Sequence, residues 1–141
     1  MVGTRIFLVV CAFLWLPYGV YLFLEPQALV ESAGVTATTT TGSTEVRAMY
    51  GGLQAAVGLL ALLGAVRSGL RRPALVMLVF LAGGLAVARS AGAAMDGGVE
   101  AYTVMALALE WAMLAIAVWR LWREGVARAN TTAGGVRYLR G

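Results

Sequence analysis

Residues 5–25 read RIFLVVCAFLWLPYGVYLFLE, with no charge between Arg5 and Glu25. A helix over residues 6–24, rising about 1.5 Å per residue, crosses a hydrocarbon core of about 30 Å. Residues 17–21 offer no small-residue cleavage site, so the stretch reads as a retained span rather than a secretory leader. Pro17 removes one backbone donor inside it, and Trp15, Tyr18, Tyr21 and Phe23 cluster in its second half, as aromatic anchors near a membrane boundary do.

Outward from this stretch, three more apolar runs follow at about residues 44–66, 73–95 and 100–122. Their flanks alternate in charge. Arg5, the turn with Arg67, Arg71 and Arg72, and the group Arg120, Arg123, Arg128, Arg137 and Arg140 fall on one side. Glu25, Glu31, Glu45, Asp96 and Glu100 fall on the other. Arginine concentrates on the cytoplasmic side of membrane proteins, so both termini are expected there. Short connections favour neighbours in space. The expected fold is therefore all-α, an integral membrane up-down-up-down four-helix bundle. The expected division is a four-span domain over 1–122 and a basic cytoplasmic tail over 123–141. Between the first two spans, Pro26 and Gly34 bracket a short helix expected to lie at the interface. A Thr-rich loop follows it.

Composition agrees with this reading. Of 141 residues, 60% are hydrophobic and 13% charged, against roughly 45–50% and 25% in soluble domains. The net charge of +4 sits at helix ends and in the tail, so it points to membrane orientation and not to nucleic acid. Cys11 is the sole cysteine, and histidine and lysine are absent. Intramolecular disulfides, dithiol redox chemistry, His-ligated haem or zinc, and Schiff-base catalysis are thereby excluded. No cofactor is expected. Arg-only, Ala- and Gly-rich usage suggests a bacterial chain, placed in the inner membrane.

Three charges fit poorly as flanks. Glu110 lies about 12–15 Å inside the fourth span, Arg89 about 9 Å inside the third, and Arg47 about one turn inside the second. A charge at a span centre costs roughly 2.5–3.5 kcal/mol on insertion scales, so such residues face other helices and find partners. Arg47, Tyr50, Gly51, Gln54 and Gly58 share one helical stripe at i, i+3, i+4, i+7 and i+11. Leu78, Ala82, Leu85, Arg89 and Asp96 share another, and Thr103, Glu110, Leu114 and Ala117 a third. With these stripes inward, Arg47, Gln54, Arg89 and Glu110 meet in one half of the bundle, and Tyr18 closes the group. Arg89 with Glu110 is the first pairing expected, because a bidentate contact keeps both charged at least cost. The pair serves helix register, a ligand or proton site, or contact with another subunit. No metal is expected, since Glu110 is the only deep carboxylate and hard cations need several. Gly51 with Ala55, and Gly84 with Ala88 and Gly92, are small-xxx-small patterns that let helices approach closely.

The segment Glu45-Val46-Arg47-Ala48-Met49-Tyr50-Gly51-Gly52-Leu53-Gln54, with Leu16-Pro17-Tyr18-Gly19 and Glu25-Pro26 before it and Ala88-Arg89 and Glu110 after, resembles the small bacterial membrane proteins grouped as domain of unknown function 4345. The resemblance covers about residues 7–118. It implies four spans, supports the choice of Arg47, Tyr50, Gln54, Arg89 and Glu110, and supplies no reaction.

Tyr18, Arg47, Tyr50, Gln54, Arg89 and Glu110 are thus the candidate ligand-binding residues, and no catalytic residue is assigned. The expected role is a non-enzymatic accessory or scaffold subunit of a membrane complex, holding a lipid-like ligand at the Arg/Glu/Gln cluster. Its expected partners are the lipid bilayer and either another protein subunit or further copies of itself. The alternative is a small oligomeric transporter or ligand carrier with a protonatable Glu110. A membrane enzyme ranks last, because a carboxylate held by arginine is a poor proton acceptor near neutral pH.

Overall fold

The computed structural model describes the backbone of residues 2–138 and side chains as far as residue 126. The described elements are all helical: α1 (Val2–Leu24), α2 (Ala28–Ala33), α3 (Thr40–Val66), α4 (Ser68–Asp96) and α5 (Ala101–Tyr138). Helices α1, α3, α4 and the Ala101–Val126 part of α5 are long and apolar enough to cross a membrane. Phe13, Phe80 and Met95 are 75%, 77% and 85% exposed on their outer faces, as suits a hydrocarbon solvent.

The helices begin and end where local chemistry allows. Thr39 caps α3, its hydroxyl accepting from the Gly42 amide at 3.0 Å. The helix therefore starts several residues before residue 44, where the second apolar run begins. Gly34 ends α2 and Gly97 ends α4, both in the left-handed region at φ 67° and 69°. The basic turn between the second and third spans shrinks to Arg67 alone, so α4 begins at Ser68 and Pro73 falls inside it. Helix α5 does not stop at Trp122 but continues to Tyr138. Arg128, Arg137 and Arg140 lie outside the residues whose side chains are described.

Helix α1 packs on α3, α3 on α4, and α4 on α5. The α1–α3 seam is the tightest. Gly19 faces the backbone of Gly51 and Ala55, Gly51 faces Phe23, and Gly58 faces Leu16. A Cβ built on Gly51 would stand 2.8 Å from the Phe23 Cα, and one on Gly19 would stand 2.7 Å from the Gly51 carbonyl oxygen. Glycine is required there by backbone-to-backbone approach, which is how helices gain dispersion energy in lipid. By contrast Gly84 and Gly92 have nothing within 4 Å of such a Cβ.

The main core gathers Leu8, Cys11, Ala12, Val57, Ala61, Leu75, Leu78, Ala82, Met113 and Ala117. A smaller cluster joins Leu22 and Val46 to Leu29, which is fully buried. Leu29 thereby pins α2 against the helix ends instead of leaving it as a free amphipathic segment. Trp15 packs against the first cluster and Tyr18 against the second. The side chains of interest lie between the two.

Candidate functional site

Helices α1 and α5 form no seam comparable to the others. Long side chains bridge them instead: the Trp15 indole N–H donates to the Met113 sulfur at 3.4 Å. The gap holds a cavity of about 710 Å³. Leu14, Trp15 and Tyr18 line it from α1, Ser32 from α2, Tyr50 and Gln54 from α3, Leu85 and Arg89 from α4, and Tyr102, Met105, Ala106, Leu109 and Glu110 from α5. Most of this wall is apolar or aromatic. Leu14, Met105 and Leu109 are 43%, 69% and 45% exposed, so the cavity's rim meets the surroundings between α1 and α5.

One face is charged. The Arg89 Nε donates to both oxygens of Glu110 at 3.1 Å, and Nη2 donates to Oε1 at 2.8 Å. Glu110 is buried, while the Arg89 side chain keeps 29% of its surface. The arginine is thus the member of the pair that presents surface, and the carboxylate is spent on holding it. The Tyr102 ring lies 5.9 Å from the guanidinium carbon, and Tyr18 lines the same cavity from α1. Opposite, on α3, the Gln54 side-chain oxygen is buried without a hydrogen-bond partner. Buried amides are normally satisfied, so this one marks a place where a polar group belongs.

Of the six residues chosen from sequence, Tyr18, Tyr50, Gln54, Arg89 and Glu110 line the same cavity. Arg47 does not. Its guanidinium reaches the end of α1, donating to the carbonyls of Phe23 and Leu24, the latter at 3.2 Å, with the Phe23 ring 5.9 Å away. Positive charge at a helix C-terminus satisfies orphan carbonyls and meets the negative end of the dipole. The cause of this displacement is local. Residues Arg47–Gly52 form a π-helical turn inside α3, where the Leu53 amide donates to the carbonyl of Ala48 five residues back. The wider turn takes Arg47 off the stripe that an unbroken α-helix would share with Gln54.

Sequence reasoning missed Tyr102 and Trp15. Tyr102 and Ala106 stand 8 and 4 residues before Glu110, toward the face the carboxylate occupies. Periodicity from Glu110 points to Thr103, and the aromatic beside it at Tyr102 is the available signal. Arg71 was also misjudged: it reads as a flank but is buried, 6% exposed. Farther along α5, near its middle, Arg120 lies on the Trp119 ring at 4.4 Å and fills the space beside Gly3 of α1.

The family model for a domain of unknown function, DUF4345, matches residues 3–121. The chain belongs to the DUF4345 family. The match takes in the four spans and every residue lining the cavity. No curated protein and no solved structure matches the chain. Within this DUF4345 protein the segment from Glu45 to Gln54 does three jobs. Arg47 ties the ends of α1 and α3 together, Gly51 admits the α1 backbone, and Tyr50 and Gln54 face the cavity.

Proposed function

We propose that this protein is a non-enzymatic, multi-pass membrane protein that holds a lipid-like ligand in the cavity between α1 and α5. The observation that carries this reading is the cavity itself. At about 710 Å³ it falls within the 300–1,000 Å³ of small-molecule sites, and like them it has apolar walls and few polar groups. Its rim is apolar, so a ligand already dissolved in the bilayer reaches it without crossing water. Arg89 and Glu110 are committed to each other, which suits positioning better than proton transfer. Small size and the lack of a catalytic motif fit a subunit of a larger membrane assembly. The arginine distribution supports an up-down-up-down bundle with both termini in the cytoplasm of a bacterial cell, in its inner membrane.

The test is native mass spectrometry after extraction in a mild detergent. The wild-type chain is expected to carry a lipid-sized adduct, and Ala106→Phe, which fills the cavity from α5, is expected to lose it while staying folded. A bare wild-type chain overturns the holding role. A stoichiometric second protein identifies the assembly.

A further inference from the structure

We infer that the ligand is an uncharged amphiphile whose head is a hydroxyl, of the class of long-chain alcohols and monoacylglycerols, seated with the hydroxyl at Gln54. This rests on the reading of the cavity as a ligand site and specifies what that site accepts.

Two observations converge. The first is charge. Arg89 and Glu110 are the only charged side chains among the lining residues, and they neutralise each other at 2.8 Å. A carboxylate or phosphate head entering beside them would compete with Glu110 for Arg89 and leave one anion unmatched. An ammonium head would do the converse to Arg89. In a site walled by Leu14, Leu85, Met105 and Leu109, an unmatched charge is strongly disfavoured. An uncharged head disturbs neither partner.

The second is hydrogen bonding. The Gln54 oxygen is a buried acceptor with no donor, so the ligand must supply an O–H or N–H. A hydroxyl is both donor and acceptor, and it satisfies the amide whichever way its oxygen and nitrogen are turned. A pure acceptor, such as an ester or ketone, meets only one orientation. The remaining requirement is room for a chain. The exposed rim at Leu14, Met105 and Leu109 lets an alkyl tail leave the cavity into the surrounding lipid.

The probes are monoolein and oleate, which share one acyl chain and differ in head group. Each is added to the detergent-solubilised full chain, at a pH where oleate is ionised, and retention is read by native mass spectrometry. Monoolein is expected to be retained about tenfold better than oleate. Gln54→Leu and the equally long Gln54→Met are each expected to lower monoolein retention about fivefold, the loss of one neutral hydrogen bond, and to leave oleate unchanged. Equal or better retention of oleate, or monoolein retention indifferent to Gln54, overturns the uncharged-head assignment while the holding role stands. Failure of both probes together with a bare wild-type chain overturns the holding role itself. Two Gln54 variants whose melting temperatures are no lower than wild type separate lost binding from lost fold.

Discussion

Helix α1 has two faces that solve the problem of packing in lipid in opposite ways. Toward α3 it shows Leu16, Gly19 and Phe23, and there the backbones touch. Toward α5 it shows Leu14, Trp15 and Tyr18, and there the helices stand apart, bridged by the Trp15–Met113 indole–thioether contact. In a bilayer no hydrophobic force closes a gap, because lipid tails fill it as well as side chains do. A seam holds only where small residues permit close contact. Where large aromatics stand instead, space remains. The difference teaches that the cavity is the expected result of placing tryptophan and tyrosine where the other face has glycine.

The comparison breaks most visibly at the glycine face. Gly58→Leu drives a side chain into the Leu16 backbone and is expected to cost more than about 4 kcal/mol, the range of severe core overpacking. A melting curve in detergent that matches wild type would show that the seam is not what holds α1. Next comes the charged wall. Glu110→Ala leaves Arg89 without its partner and is expected to cost about 3 kcal/mol, at the lower end for broken buried pairs because Arg89 keeps some exposure. Adding Arg89→Leu to it is expected to recover more than half of that loss. A double variant as unstable as the sum of the singles would mean the pair is uncoupled.

Smaller effects sharpen the contrast. Gln54→Leu removes a buried acceptor that has no partner in the empty cavity, so the ligand-free chain is expected to gain about 1 kcal/mol. Destabilisation on stripping all lipid would instead reveal a partner for that amide inside the fold. Gly84→Leu, on an open face of α4, is expected to change stability by less than about 0.5 kcal/mol. A large loss there would show that a neighbouring molecule covers that stripe.

Much of this was legible in the residues. Four apolar runs predict four membrane-length helices, since nothing but a helix satisfies its backbone over that length of lipid. Arg89 and Glu110 are paired because each, alone in the membrane, is costly, and the spacing leaves each little else to meet. Tyr50 and Gln54 follow from helical periodicity, and Tyr18 from its place in the first span. Arg47 shows where periodicity stops working: a π turn shifts everything before it, and no residue pattern within RAMYGG announces that turn beyond its two glycines. Arg71 is hidden for a different reason. Hydropathy places arginines at helix ends but does not tell which of three neighbours turns inward. Leu29 likewise reads as one residue of an amphipathic helix, and only the fold shows it buried between Leu22 and Val46.

The π turn also gives α3 an unusual tolerance for a change in length. Deleting one residue from an ordinary helix swings everything beyond the gap by about 100°. Residues 47–52 already hold one residue more than an α-helical turn requires. Removing one there lets the turn close as α, and the helix on both sides of it keeps its place. At this single position in the spans, losing a residue is a gentler edit than replacing one.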